Sequence, residues 1–364
     1  MLQRSNSSDH FERGRFFNPG ILPQSFAAFF KWITLRRIDY WPPFVTMPPA
    51  RVPEERVSDQ ETVVTFVNHS TFLIQTCGLN LLTDPVWSQR VSPLSFVGPK
   101  RHRDPGVRFD SLPPIDGVLI SHNHYDHLDV ATLRRLARRD SPTAFCPLGV
   151  GKLLAKCGLN DVCELDWWEQ RRWKGAEISC VPAQHFSSRT PFDRNRTLWC
   201  GWVVRSGGAP IYFAGDTGFG KHFEDITRRF PGLTIALLPI AAYKPEWLMG
   251  PIHMTPEDAV RAHQTLGVQR SIACHFRTFA LADDGMEEPV ERLRAATESA
   301  SLTHEFLILA EGESSRWHPS SGELDPTDAT GSTVSPPPLW TAKAHDVRLT
   351  RSRQSYGKSS TGHT

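Results

Sequence analysis

Four residues with metal-binding side chains lie within six positions of this 364-residue chain: His122, His124, Asp126 and His127. They directly follow the apolar run Gly117–Ile120, which is typical of a short buried strand. In an extended segment the side chains at positions i and i+2 point the same way, so His122 and His124 can hold one metal ion together. Asp126 and His127 come where the chain must turn into a predicted helix, so they can reach a second ion. Neutral imidazole and carboxylate suit Zn²⁺ and similar ions.

Three further apolar runs are followed in the same way by metal-competent residues, at His185, Asp216 and His275. Each run is typical of a short buried strand, and ligands at the ends of several strands converge only if those strands share one sheet edge. A polar loop would explain any one of these residues by itself, and turn chemistry would explain Asp216 after Gly215. The recurrence is more specific than any single motif, and it predicts a dinuclear metal site.

The block from His122 to His127, followed by His185, Asp216 and His275, resembles the metallo-β-lactamase superfamily. Six further segments resemble, more narrowly, the N-acylphosphatidylethanolamine-hydrolysing phospholipase D family: Leu82–Pro85, Gly98–Arg101, Leu112–Asp116, Glu164–Glu169, Phe213–Gly218 and Thr278–Leu281. The resemblance implies an α/β (α+β) fold, a four-layer αββα sandwich of two mixed β-sheets flanked by helices. Composition alone indicates only a mixture of α and β structure.

The resemblance also implies how the ligands divide, which spacing alone cannot decide. It assigns one metal ion to His122, His124 and His185, the other to Asp126, His127 and His275, and a bridging role to Asp216. Two Zn²⁺ are the expected cofactors, with other divalent ions as the alternative. Two cations about 3.5–4 Å apart lower the pKa of bound water and neutralise charge that develops on phosphoryl oxygens. The predicted catalytic residues are Asp126, Asp216 and His253.

Three of the candidate residues concern the substrate pocket. His253 precedes a predicted helix start at Thr255–Pro256, where a solvated loop histidine is the alternative to the active-site histidine that the family has at the matching place. Tyr243 either lines the pocket or packs in the core. Arg277 stands where the family pattern has a small glycine, so it is expected to narrow the pocket or to bind an anionic head group.

Two carboxylates are candidates for supporting the ligands. Metal-bound imidazoles usually donate their other N–H to a carboxylate or carbonyl, and Asp84 and Asp129 are placed to accept it, with turn or capping roles as the alternative. His69 also follows a strand end. It is left out of the metal set, because the superfamily often has a histidine there without direct ligation.

Composition excludes several classes of protein. The net charge of +2 argues against a dedicated nucleic-acid binder, which would usually carry a basic stripe. Seven scattered cysteines without a Cys-x-x-Cys pair indicate free thiols in a reducing compartment. The polar N-terminus lacks a signal core, and no run of about 18 apolar residues exists, so nothing is expected to span a membrane. We expect a cytoplasmic protein, with peripheral membrane attachment left open.

Three regions are predicted: an N-terminal extension (1–57), a catalytic domain (58–312) and a disordered tail (313–364) rich in Ser, Thr, Pro and Gly. The extension contains a predicted amphipathic helix, capped by Ser25 and running from Phe26 to about Arg37. Its apolar stripe consists of Phe26, Phe29, Phe30 and Ile33, with Trp32 beside it and Lys31, Arg36 and Arg37 as positive charges. Either the helix docks on the catalytic domain, or it seats the protein on anionic lipid.

The leading hypothesis is a dinuclear zinc phosphodiesterase that hydrolyses N-acylphosphatidylethanolamine-type phospholipids to N-acylethanolamine and phosphatidic acid. The expected partners are the phospholipid substrate and a peripheral membrane surface, without nucleic acid and with a homodimer left open. The first alternative is a cytosolic sugar-phosphate lactonase of the same superfamily. The second is a non-catalytic membrane-docking or metal-holding module, against which the intact ligand set argues.

Overall fold

The computed structural model describes residues 8–21, 26–47, 52–58, 60–318 and 324–325. Their strands are, in chain order, β1 Phe11–Glu12, β2 Arg15–Phe16, β3 Thr62–Asn68, β4 Thr71–Thr76, β5 Leu79–Thr83, β6 Gly117–Leu119, β7 Thr143–Pro147, β8 Val162–Leu165, β9 Gln170–Trp173, β10 Ala176–Val181, β11 Gly201–Arg205, β12 Ile211–Phe213, β13 Ile235–Pro239, β14 Arg270–Cys274, β15 Phe306–Leu307, β16 Ser314–Trp317 and β17 Leu324–Asp325. The helices are α1 Phe26–Leu35, α2 Val130–Arg139, α3 Gly151–Lys156, α4 His222–Arg229, α5 Glu246–Met249, α6 Pro256–Leu266 and α7 Glu288–Ser299, with a 3₁₀ turn at Phe109–Ser111.

Two large mixed sheets form the middle of the fold. The first has eight strands in the order β17-β16-β3-β4-β5-β6-β7-β8, antiparallel as far as β5 and parallel from β5 to β8. The second has seven strands in the order β15-β14-β13-β12-β11-β10-β9, parallel from β15 to β12 and antiparallel from β12 to β9. The prediction of two mixed sheets is confirmed.

Apolar side chains hold the layers together. Phe66 of the first sheet and Trp202 of the second belong to one buried cluster, to which Val260 of α6 also belongs. Leu133 of α2 belongs instead to a second cluster with Val118 of β6. A strand whose two faces are both covered has buried residues at every position instead of at alternate positions. For this reason the sequence of β13 is a continuous apolar run. Helices outside both sheets complete the predicted four-layer sandwich.

The C-terminal boundary lies further along the chain than the sequence predicted. Ser314–Trp317, placed in a disordered tail from residue 313, form β16 and pair antiparallel with β3, from Ser314 opposite Thr65 to Trp317 opposite Thr62. The segment has no apolar run, so its strand conformation comes from hydrogen bonding to the edge of β3 rather than from its own pattern. Residues 319–323 and 326–364 of the predicted tail lie outside the described residues.

The N-terminal extension packs against the catalytic domain through one face of α1. Trp32 is buried in a cluster with Leu248, Met249 and Ile252, and its indole N–H donates to Asp283 Oδ2 over 2.9 Å. The helix ends at Leu35 rather than near Arg37. Its predicted cap Ser25, and the side chains of Phe26 and Phe29 in the predicted stripe, lie outside the described residues.

The other side of α1 faces solvent. Phe30 and Ile33 of the predicted stripe are 60% and 52% exposed. The helix therefore docks through Trp32, and its predicted apolar stripe remains accessible at these two positions. Among the described helices, none has the length and apolar character needed to cross a membrane.

Candidate metal centre

The candidate ligands lie in loops that follow strands of both sheets. His69 follows β3, the block 122–127 follows β6, and Asp216 follows β12. His185 comes after β10 and His275 comes directly after β14. Because these loops meet at one end of the sandwich, residues up to about 200 positions apart in the chain come into contact, as the distances between their side chains show.

Several of these residues adopt a backbone conformation that side chains other than glycine rarely take. His69 has a φ angle of 49°, Asp84 of 32° and His275 of 61°. Non-glycine residues in this left-handed region are uncommon and cluster at functional sites. Gly215 also has a φ of 61°, and a Cβ atom there would lie 2.7 Å from the Cβ of Ser121. A glycine is therefore required before Asp216, where the chain passes close to the ligand-bearing loop after β6.

Three imidazoles form the first set of candidate ligand atoms. His122 Nε2 lies 2.8 Å from His124 Nδ1, and His185 Nε2 lies 3.3 Å from the same atom. Nitrogen atoms bound to one tetrahedral zinc ion at about 2.0–2.1 Å would be separated by roughly 3.3 Å. The three nitrogens thus face a common point at close to the spacing that a shared ion requires.

Asp126 is the centre of the second set. Its Oδ2 atom lies 3.2 Å from His127 Nε2, 3.4 Å from His275 Nε2 and 3.0 Å from His69 Nε2. Four ligand atoms, one from each of these residues, lie within 4.8 Å of one another. His69, which the sequence analysis leaves out of the metal set, is therefore a further candidate for this group, and it follows β3 as the predicted ligands follow other strands.

Asp216 lies between the two sets. Its Oδ2 atom is 3.1 Å from the Nε2 atoms of both His127 and His275. The same oxygen is 3.9 Å from His122 Nε2 and 3.8 Å from His185 Nε2. All seven predicted ligands are thus brought together in one cluster. Which ion each residue binds stays a prediction.

Orphaned polar atoms show that the residues fit a metal. His127 Nε2, His275 Nε2 and Asp216 Oδ1 are buried, and none has a hydrogen-bond partner among the described residues. Buried polar atoms are almost always hydrogen-bonded, so a convergent group without partners needs an explanation. The two imidazole nitrogens also lie 3.1 Å from Asp216 Oδ2 without hydrogen-bond geometry, as atoms do when they are aimed at a common cation.

The protonation states of most of the histidines favour metal binding. Burial lowers the pKa of His122 and His185 well below the ordinary value. Burial likewise lowers the pKa of His124 and of His253 to about 4, and that of His69 to about 3. These rings are neutral near pH 7, which is the form that ligates metals.

At two histidines, neighbouring carboxylates raise the pKa of the ring although burial alone would lower it. Burial would lower the pKa of His127, but Asp216, Asp126 and Asp84 raise it well above the ordinary value. For His275, Asp216 and Asp126 overcome burial and raise the pKa to about 9. Burial would raise the pKa of Asp126 and of Asp216, but the neighbouring His127 holds both well below their usual range. The centre thus contains two ionised carboxylates, whose negative charge suits cations.

Asp84 accepts a hydrogen bond from the candidate ligand His127 and so orients its ring. His127 Nδ1–H donates to Asp84 Oδ2 over 2.7 Å, which leaves Nε2 directed at the centre. The backbone N–H and the hydroxyl of Ser121 donate to the two oxygens of Asp84 over 2.7 and 2.6 Å. His185 Nδ1–H is held in the same way by the carbonyl of Ile252 at 3.0 Å. Such partners fix the tautomer and the orientation of a ligating ring.

Asp129 has the capping role that the sequence left as the alternative. It is the N-cap of α2 and accepts hydrogen bonds from the backbone N–H of Ala131 and the hydroxyl of Thr132. It also accepts from the backbone N–H and the hydroxyl of Ser88. Its oxygens hold the start of the helix and the loop after β5, and none of these bonds goes to a candidate ligand.

His253 lies beside the cluster, but Tyr243 and Arg277 do not line the same cavity. The His253 ring centroid is 5.0 Å from that of His185 and 5.4 Å from that of His275. Tyr243 is fully buried, and its hydroxyl donates to Glu288 Oε1 over 2.9 Å. Arg277 Nε donates to Glu287 over 2.9 Å, and the side chain lines a smaller hollow that His275 also lines. Tyr243 therefore packs in the core, and Arg277 is paired with an acidic residue and does not line the cavity over the metal centre.

A cavity of about 500 Å³ opens over the metal centre. Its floor contains His124, Asp126, Asp216, His253 and His275. Its wall is mainly apolar and includes Trp32, Phe186, Leu248, Met249, Ile252, Leu281 and Ala282. The sequence does not predict these wall residues as a group, because they come from α1, α5 and three loops that only the tertiary structure brings together. Trp32 belongs to the predicted N-terminal extension.

Comparison with known proteins agrees with this architecture. A family model described as Beta-lactamase superfamily domain matches residues 79–276. The chain belongs to this superfamily, and it is a metal-dependent hydrolase with the metallo-β-lactamase fold.

Individual proteins show similarity to this chain in sequence or in fold. An uncharacterised protein of Mycobacterium tuberculosis is 40% identical over 277 residues, which are 75% of this chain and 74% of that protein. The N-acyl-phosphatidylethanolamine-hydrolyzing phospholipase D 1 of Caenorhabditis elegans is 36% identical over 249 residues, 65% of this chain and 70% of its own. The crystal structure of isothiocyanate hydrolase from Delia radicum gut bacteria has a TM-score of 0.56 at 23% identity, covering 69% of this chain and 98% of that one. The last similarity shows the fold alone.

Proposed function

We propose that this protein is a dinuclear zinc phosphodiesterase that hydrolyses N-acylphosphatidylethanolamine-type phospholipids to N-acylethanolamine and phosphatidic acid. The observation that carries the proposal is the combination of two sets of ligand atoms, joined by Asp216, with an apolar cavity of about 500 Å³ above them. A phosphodiester with long acyl chains needs both cationic charge at its phosphorus and apolar walls along its chains. The nematode relative that bears this activity in its name supports the choice of substrate.

The residues of the chain have separate tasks in this reaction. When bound, the metal ions supply an activated water and neutralise the phosphoryl oxygens. Asp126 contacts the ligands of the second set, Asp216 lies between the two sets, and both carboxylates would provide the negative charge that retains the cations. The neutral ring of His253, at the cavity surface beside His185 and His275, can donate a hydrogen bond to the departing oxygen.

Exposed apolar residues support contact with a membrane as the partner surface. Phe192, in the loop that carries the cavity residues Pro191 and Arg194, is 80% exposed. Trp247, next to the cavity residue Leu248, is 59% exposed, and Lys31 Nζ lies 5.7 Å from its ring centroid. Together with the accessible side of α1, these side chains combine aromatic groups with a positive charge, as peripheral membrane proteins do.

The alternatives receive less support. The apolar wall is a poor match for a sugar phosphate, whose hydroxyl groups need hydrogen-bonding partners. A non-catalytic module would not need every member of the ligand set, and the set is complete. A homodimer stays a prediction.

The test is hydrolysis by the zinc-loaded protein of N-acylphosphatidylethanolamine in mixed detergent micelles, with products identified by mass spectrometry. We expect equal amounts of N-acylethanolamine and phosphatidic acid, formed at least about a hundredfold more slowly with Asp216→Asn. Release of free fatty acid instead, or cleavage of a soluble sugar-phosphate lactone without turnover of the lipid, would contradict the proposal.

A further inference from the structure

A firmly held loop carries a cationic side chain into the cavity. The carboxylate of Asp193 accepts hydrogen bonds from the backbone N–H groups of Arg189 at 3.0 Å and Thr190 at 2.8 Å. The backbone N–H of Asn195 donates to the carbonyl of Ser187 over 2.8 Å, which closes the loop. These bonds fix the loop on both sides of its next residue, Arg194.

The N-terminal hairpin holds the same loop from outside. The guanidinium of Arg15 donates to the backbone carbonyl of Arg194, and the backbone N–H of Phe16 donates to the carbonyl of Asn195 over 2.8 Å. The position of Arg194 is therefore set by backbone contacts on both sides. The Arg194 side chain is therefore not needed to hold the loop in place.

The Arg194 side chain has no anionic partner in the part of the chain that the structure describes. It lines the cavity together with His124, and its guanidinium carbon lies 4.2 Å from the ring centroid of Phe186. Burial lowers the pKa of Arg194 below its usual value, which shows that the group is partly desolvated although it remains charged. A half-buried cation that lines the cavity without an anionic partner among the described residues is placed to meet a substrate anion.

Arg189 shows what a structural arginine in this loop looks like. Its guanidinium donates to the carbonyls of Asn123 and Leu128 over 2.8 and 2.9 Å, and it lies 3.8 Å from the ring centroid of Tyr125. Arg189 thus ties the loop to the metal-binding segment. Arg194 has no comparable hydrogen bonds from its guanidinium to the described residues.

We infer that Arg194 binds the anionic phosphodiester group of the substrate and so makes the site prefer charged phosphodiesters to neutral esters. The inference rests on the proposed function and adds a specificity-determining residue to it. A guanidinium presents paired N–H donors that match two oxygens of a phosphate, and the interaction strengthens where water is excluded. The aromatic ring of Phe186 beneath the guanidinium keeps its plane in position while leaving the N–H groups at its edge available.

The experiment compares two ligands that differ in charge and little in shape: dihexyl phosphate, an anion, and its neutral methyl ester. Their binding to the zinc-loaded protein is measured by isothermal titration calorimetry. Arg194→Ala should weaken binding of dihexyl phosphate about ten- to hundredfold, the range for losing a hydrogen bond to a charged group. It should change binding of the neutral ester less than about twofold. Arg194→Lys should restore part of the affinity for the anion, because it keeps the charge but not the paired donors.

Arg196→Ala is the matched control. It removes the same charge two residues further along, at an exposed position outside the cavity. Its binding of dihexyl phosphate should match that of the unchanged protein. Equal losses for both ligands in Arg194→Ala, or equal losses in the two alanine variants, would overturn the inference.

The same measurements separate this inference from the proposed function. If the unchanged protein binds dihexyl phosphate through Arg194 but does not cleave N-acylphosphatidylethanolamine, the proposed lipid substrate is wrong and Arg194 still recognises a phosphodiester. If the lipid is cleaved and Arg194→Ala alters neither dihexyl phosphate binding nor KM, the proposed function stands and the role of Arg194 is wrong.

Discussion

Asp216 presents one carboxylate oxygen to both sets of imidazoles, 3.1 Å from His275 Nε2 and 3.8 Å from His185 Nε2. Asp216→Asn keeps the shape of the side chain but removes its negative charge. We expect kcat to fall at least about a hundredfold, the scale seen when a key electrostatic group is lost, with reduced zinc content. Steady-state kinetics and metal analysis of the same preparation provide the measurement.

His69→Ala is the comparison for that variant. Its ring contacts Asp126 Oδ2 at 3.0 Å, and in the resemblance it supports the centre without ligating an ion. It should therefore cost much less activity than Asp216→Asn. Equal losses in the two variants would mean that His69 is itself a ligand and that the division of ligands is wrong.

Asp84 orients a candidate ligand and Asp129 caps a helix, so variants at these two carboxylates should have different effects. Asp84→Asn should weaken zinc binding about 10- to 100-fold, because His127 loses the carboxylate that orients it. Asp129→Ala should lower the free energy of unfolding by about 0.5–2 kcal/mol through loss of the α2 cap, with zinc affinity unchanged. Titration against a chromophoric chelator and urea unfolding measure the two effects. A similar change in zinc affinity for both variants would contradict the separation.

The sequence could predict that the candidate ligands lie close together, because each of them comes within a few residues of the end of a short apolar strand. It could not predict the partners that decide the other roles. The sequence leaves Tyr243 as a pocket candidate, whereas in the structure its hydroxyl donates to Glu288, 45 positions away. Arg194 has no local signal, since what distinguishes it from Arg189 is only which carbonyls lie within reach after folding.

Helix α1 illustrates the same limit for whole elements. The spacing of its apolar residues predicts a helix. Which face of the helix docks depends on the apolar surface formed by Leu248, Met249 and Ile252, which come from a distant part of the chain. The polar strand β16 has no apolar pattern that would predict a strand. Its strand conformation depends on pairing with the edge of β3. The two mixed sheets were predictable only through the family resemblance, since buried runs do not reveal which strand lies beside which.

The exposed side of α1 gives a prediction for membrane binding. The double variant Phe30→Ser with Ile33→Ser removes two apolar side chains that are exposed and make no core contacts. We expect unchanged thermal unfolding and unchanged hydrolysis of a short-chain soluble substrate, but weaker flotation with anionic liposomes. Flotation equal to that of the unchanged protein would exclude α1 as the membrane contact.

Trp32→Ala is the opposite case in the same helix. It removes a buried side chain that lines the cavity and donates to Asp283. We expect faster amide hydrogen exchange over residues 26–35 and a higher KM for the lipid, because the helix would detach from the cavity wall. The same exchange rate as in the unchanged protein would show that other contacts hold α1 in place.

The metal centre joins loops from both sheets, so metal content should affect the whole molecule. We expect about two zinc ions per chain, activity that is lost on chelation and restored by zinc, and a lower melting temperature after chelation. Ligands that bind only the folded state stabilise it by about 4 kcal/mol at a thousandfold excess over Kd. Metal analysis and differential scanning fluorimetry provide the measurements. One ion or none in fully active protein would contradict the dinuclear centre.

The pairing of β3 with β16 has a consequence for the order in which the protein can assemble during synthesis. At about 5–20 residues per second, the roughly 250 residues between these two strands take about 12 to 50 seconds to be translated. Through that interval the outer edge of β3 has backbone groups without their final partner, and such an edge can recruit a strand from another chain. The emergence of β16 thus ends the period in which this edge of the nascent chain is exposed to misassembly, and a chain that stopped at residue 312 would never leave that period.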